Sequence, residues 1–117
     1  MNAFRPLTRI PAYSAAKASV SNFTQFMAVH FSDVGIRVNA MAPGFFSTNQ
    51  NKTLHYNEDG SLSERSKKII SHTPLGRFGT TDDLTGSLLF LADERYSGFI
   101  TGVVLPIDGG FSAYSGV

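Results

Sequence analysis

Two side chains four residues apart, the phenol of Tyr13 and the ammonium of Lys17, carry the chemistry most legible in this chain of 117 residues. In a helix they share one face. A cation held beside a tyrosine favours the phenolate, drawing the phenol from its ordinary pKa of roughly 10 toward the range where it exchanges protons at neutral pH. That is the chemistry of an acid–base catalyst acting on a carbonyl or an alcohol. The same spacing also describes an ordinary packing and solvation pair on a surface helix, so the order of features downstream must decide between the two.

Further polar groups could serve a ligand. Pro43-Gly44 follows directly on an apolar stretch, and a turn just beyond the carboxyl end of a parallel strand is where open α/β sheets bind ligands. It is equally a plain strand-terminating turn. Residues 45–72 offer amides at Asn49, Gln50 and Asn51 and imidazoles at His55 and His72, with the guanidinium of Arg77 just beyond. Such donors suit a polyhydroxylated acid, and an arginine can hold a carboxylate through two parallel hydrogen bonds. A long exposed loop is also polar simply because it is wet. No His-Glu or paired-histidine spacing supports metal ligation, and no metal site is expected.

A small set of elements must position these groups. Pro11 and Ala12 lead into a helix of roughly twenty residues in which Val20, Phe23, Met27 and Phe31 recur at three- and four-residue spacing, and Gly35 ends it. Residues 36–42 are apolar at alternate positions and nearly so between them, as expected of a parallel strand covered on both faces. The turn signals in residues 45–60 predict a long loop. Ser61-Leu62-Ser63-Glu64 reads as a capping box opening a helix to about His72. Residues 73–79 break it, and Thr80-Thr81-Asp82-Asp83 starts another, with acids where the helix dipole favours them and Leu84, Leu88 and Leu91 along one face. In the last strand, residues 103–107, Pro106 cannot donate a ladder hydrogen bond and suggests the outermost position of a sheet. The fold class expected is α/β, with two strands and about three helices.

Composition excludes several classes. With 42% hydrophobic residues and a net charge of +1, the chain has neither the makeup of a disordered segment nor the electrostatic footprint of a nucleic-acid binder. It has no cysteine, hence no disulfide framework and no thiolate zinc site, which suits a reducing, cytoplasmic setting. Its apolar runs are too short to span a bilayer, so no membrane partner is expected.

In order, Tyr13-x-x-x-Lys17, Asn39-x-x-x-Pro43-Gly44, a variable polar segment and Asp108-Gly109-Gly110 resemble the C-terminal half of the classical short-chain dehydrogenase/reductases, over essentially the whole chain. The resemblance implies a Rossmann-type doubly wound parallel sheet, of which residues 1–117 would be the C-terminal part of a single domain, the N-terminal half being absent. It implies that Tyr13 passes the proton on the substrate oxygen, while Lys17 holds the nicotinamide ribose and tunes the tyrosine. It implies that the Pro43-Gly44 segment meets the nicotinamide carboxamide through the backbone of Phe46 and the hydroxyl of Thr48. Phe46 stands where the family usually has Ile or Val. The glycine-rich phosphate-binding turn of the family's first half occurs nowhere in this sequence, and the family's catalytic serine would fall just before Met1.

Residues 3–8, 43–51 and 109–117 are similar to short-chain members labelled D-mannonate oxidoreductase, which interconvert D-fructuronate and D-mannonate. The resemblance therefore implies a nicotinamide cofactor, NAD or NADP, in a full-length parent, with none bound by these residues alone. It implies a sugar-acid substrate, with Asn49, Asn51 and Arg77 as candidate contacts. The family's packing also implies a homo-oligomer, dimer or tetramer, formed through the first helix, the last strand, or both. Two other readings stay open: a truncated, non-catalytic product and an oligomerisation module of the same fold.

Overall fold

The computed structural model describes residues 2–7 and 10–116. Pro11, whose ring presets a helical φ, opens helix α1, Pro11–His30. The Phe31 N–H closes its end on the Met27 carbonyl, and after a 3-10 turn at Ser32–Val34 the chain reverses at Gly35, where φ is 74°. Strand β1, Ala40–Pro43, pairs in parallel with β2, Val104–Ile107, in the register Ala40↔Val104 to Pro43↔Ile107. Parallel neighbours need a long crossover. Here it carries the short helices α2, Lys52–His55, and α3, Glu64–Ser71, then α4, Asp82–Ala92, and α5, Glu94–Ser97.

The first strand is shorter than residues 36–42, and the cause is Asn39. Its side-chain amide donates to the Ile100 carbonyl at 3.0 Å and accepts from the Val103 N–H at 3.1 Å. A side chain thus stands in for the ladder just before β1. Residues 45–60 are not all loop: α2 lies within them, and Tyr56 bridges Leu62 in antiparallel fashion around the turn at Gly60, φ 82°. The cap of α3 is Ser63 rather than Ser61. The Ser63 hydroxyl accepts from the Ser66 N–H, whereas Ser61 is occupied with the Asp59 carboxylate. Helix α5, begun by the Asp93 side chain accepting from the Arg95 N–H, was not foreseen.

Sequence periodicity sets Val20, Phe23, Met27 and Phe31 along one apolar face of α1. In the structure the helix buries Ser14, Thr24 and Ala28 instead and leaves Val20, Phe23, Phe26 and Val29 between 54% and 76% exposed. Small residues let the helix come close, Ala28 lying 3.4 Å from where a Cβ on Gly102 would stand. Among the described residues the buried apolar set is only Ala28, Ala42, Ile69 and Phe78. The radius of gyration, 16.2 Å, exceeds the roughly 13 Å of a compact domain this long, so these elements do not close a core by themselves.

Candidate active site

The start of α1 and the exposed side of β1 enclose a cavity of about 540 Å³ that brings together Tyr13, Lys17, Pro43 and Gly44. The Lys17 ammonium lies 5.3 Å from the centroid of the Tyr13 ring, as one helical turn places it. Tyr13 is half exposed, toward the cavity. Asn2 lines the same space and keeps its side-chain oxygen buried without a hydrogen-bond partner.

Gly44 is required by the sheet register. Because Pro43 stands opposite Ile107, residue 44 stands opposite Asp108, and a Cβ on it would lie 2.6 Å from the Asp108 Cα. The Gly44 N–H donates to the Ile107 carbonyl at 2.9 Å, continuing the ladder. Asp108 is itself fixed: its carboxylate accepts from the N–H groups of Gly110 and Ser112 and from the Ser112 hydroxyl.

Beyond the turn lies an adjoining cavity of about 340 Å³, which shares Pro43, Gly44, Phe45 and Arg65 with the first and adds Phe46 and Thr48. Phe46 forms a parallel bridge with Gly79, and its ring occupies the space in which a Gly79 Cβ would fall, at 2.6 Å. A glycine thus accommodates the large side chain that departs from the family pattern. Asn51 shapes this segment from within, its Oδ1 accepting from the Thr48 N–H and its Nδ2 donating to the Phe46 carbonyl, both at 2.8 Å.

The other expected contacts lie apart. Asn49 borders a separate groove with Lys52 and Tyr56. Arg77 lines a third space, of about 150 Å³, and donates to both oxygens of Asp83 at 2.7 and 2.8 Å. Those bonds, with the backbone N–H and hydroxyl of Thr80, hold the Asp83 carboxyl far below its usual range. His55 is buried between Phe78, ring centroids 4.2 Å apart, and the Ser66 hydroxyl at 3.3 Å. Burial first, and then the charge of Arg65, push its pKa below 6.5 against an opposing hydrogen bond to the Phe46 backbone.

Residues 1–112 match the family model described as enoyl-(acyl carrier protein) reductase. The chain belongs to the short-chain dehydrogenase/reductase family. Its α/β elements are a fragment of that family's Rossmann-type fold. The uncharacterized oxidoreductase UxuB of Bacillus subtilis is 62% identical over 117 residues, the whole of this chain and 42% of the relative. The crystal structure of a candidate D-mannonate oxidoreductase from Haemophilus influenzae, with bound NAD, is 63% identical with a TM-score of 0.94, over 100% of this chain and 42% of that one. A candidate 2-deoxy-D-gluconate 3-dehydrogenase from Agrobacterium tumefaciens, with bound NADP, is 34% identical with a TM-score of 0.84, over 96% of this chain and 43% of the other.

The chain thus spans less than half the length of the short-chain dehydrogenase/reductases it matches. The Tyr-x-x-x-Lys spacing and the Pro-Gly turn led directly to the residues that share the cavity. Sequence reasoning missed Asn2 and Arg65 as part of the site; for Arg65 the only signal was its place in the first turn of a capped helix. No helix of the described residues is long and apolar enough to cross a membrane, and among them no cluster of His, Cys, Asp and Glu could hold a metal ion.

Proposed function

We propose that these residues are the proton-transfer and nicotinamide-side segment of an NAD(P)-dependent oxidoreductase interconverting a keto sugar acid and its alcohol, of the D-fructuronate/D-mannonate type. The observation that carries this reading is the convergence of Tyr13, Lys17, Pro43 and Gly44 on one cavity. The likeness to proteins described as acting on mannonate and a gluconate derivative supports the substrate class. The residues present fit the cofactor's nicotinamide end, because Gly44 keeps the turn free of a side chain and Thr48 adds a hydroxyl to the adjoining cavity. When bound, the nicotinamide supplies or accepts the hydride.

Tyr13 gives its phenolic proton to the substrate oxygen in reduction and takes it back in oxidation, so no free alkoxide need form. Lys17, one turn along the same face, steadies the negative charge that the phenol oxygen acquires. The buried side-chain oxygen of Asn2 can accept from a sugar hydroxyl. Phe46 and Thr48, held by Asn51, form the wall against which a carboxamide would rest. We infer that residues 1–117 form part of one domain, that the working form is a homo-oligomer, and that it operates in the cytoplasm.

Kinetics on the polypeptide of the native reading frame test the assignment. Tyr13→Phe removes the proton donor and keeps the ring, so kcat on D-fructuronate should fall by about a hundredfold or more with the melting temperature unchanged. A Phe variant that kept most of its kcat on fructuronate and on other keto sugar acids would overturn it.

A further inference from the structure

Two arginines border the cavities, and their charges are met differently. The fork of Arg77 is spent on Asp83, and the carboxylate of Asp108 lines the same space. A substrate acid arriving there would meet two carboxylates. The Arg65 side chain makes no ion pair or hydrogen bond among the described residues. Its neighbour Glu64 is turned instead to Lys67, at 2.7 Å.

Arg65 borders both the cavity of Tyr13 and Lys17 and the adjoining one of Phe46 and Thr48, and no Asp or Glu lines either. Its guanidinium carbon sits 5.9 Å from the centroid of the Phe45 ring, which is itself braced edge-on by Phe111 at 5.2 Å. An arginine resting on an aromatic face keeps its N–H edge free for two parallel bonds to a carboxylate, a geometry lysine lacks. Its backbone is held by the first turn of α3, pinned by the Ser63 cap. The charge reaches inward far enough to be felt at His55.

We propose that Arg65, rather than Arg77, binds the carboxylate of the substrate and so selects a sugar acid over a neutral sugar. This assignment rests on the sugar-acid reading above. It makes Arg65 a specificity-determining residue that lines the same cavity as the proton-transfer pair.

The test compares D-fructuronate with D-fructose, the neutral sugar that lacks the carboxylate, as substrates of the native-reading-frame enzyme with its dinucleotide. Wild type should favour the acid. Arg65→Gln should raise KM for fructuronate by about ten- to a hundredfold, lower kcat much less, and reduce the acid-to-neutral ratio of kcat/KM by a similar factor. Arg65→Lys should restore only part of that ratio, because it returns the charge without the fork. The proposal is overturned if Arg65→Gln keeps the acid preference, if Arg77→Gln loses it instead, or if Arg65→Gln raises KM for the dinucleotide and not for fructuronate. A wild-type enzyme that does not prefer fructuronate would overturn the sugar-acid reading itself, and the Arg65 assignment with it.

Discussion

Arg37 lines none of the three cavities described above, yet it fixes the far end of the sheet. Its guanidinium donates to the carbonyls of Leu91, Ser97 and Ile100 at 2.9 to 3.2 Å, gathering the C-terminal ends of α4 and α5. Carbonyls at a helix end have no intrahelical donors, and a cation there also meets the favourable end of the dipole. Arg37→Leu should destabilise the fold by about 2–3 kcal/mol in denaturant unfolding, with kcat affected only as stability fails. His55 sets a pH dependence. Its folded pKa lies below 6.5, so as pH falls from about 6.5 the unfolded chain takes up a proton that the folded chain refuses. Stability should therefore be full above that pH and decline below it, until the buried ring itself protonates. His55→Gln should flatten this slope in melts recorded across pH 5 to 7.5; an unaltered slope would place the titration elsewhere. Such residues were hard to foresee for a shared reason. Tyr13 and Lys17 are neighbours on one helix, so spacing reveals them, whereas Arg37 finds its partners some sixty positions away.

At the scale of elements, helix α1 was legible from Pro11 and its apolar spacing, and the parallel pair from its apolar runs. Which way α1 faces was not. Its buried stripe consists of Ser14, Thr24 and Ala28, and periodicity of large side chains cannot signal a close approach made by small ones. The cap of α3 was displaced by two residues because Asp59 captures Ser61. Ser63→Ala should cost about 1 kcal/mol, while Ser61→Ala should cost less, a ranking that thermal denaturation can read. Phe46 and Gly79 form a pair that must change together. Gly79→Ala drives a methyl into the Phe46 ring and should destabilise by about 1–3 kcal/mol. Adding Phe46→Val should recover most of that loss, and a double-mutant cycle showing simple additivity would deny the contact.

The whole molecule is open on one side. Phe23, Phe26 and His30 stack along the outer face of α1, with ring centroids 5.9 and 5.4 Å apart, and Val20 and Val29 stand exposed beside them. An apolar strip of this kind marks an interaction surface. If the homo-oligomer proposed above forms through this face, replacing Phe23 and Val29 together with glutamate should shift sedimentation of the native protein toward the monomer; unchanged sedimentation would exclude the face from an interface. We further expect residues 1–117 alone to lack turnover. They contain no glycine-rich phosphate turn, and loss of cofactor positioning alone can forfeit roughly 7 to 11 kcal/mol of barrier reduction. Titration with NADH and NADPH should show no saturable binding in the micromolar range.

The flush ends of β1 and β2 set where the chain can change its length. Gly44 and Asp108 face each other with no room for a methyl between them, so one residue added to β2 would slide a side chain into the turn that borders Tyr13. The hairpin tip at Asp59 and Gly60 faces solvent and touches none of this. A single alanine inserted after Asp59 should leave activity intact, and the same insertion after Leu105 should abolish it. The exposed hairpin can thus change its length, while the paired ends of the two strands are held to a fixed count.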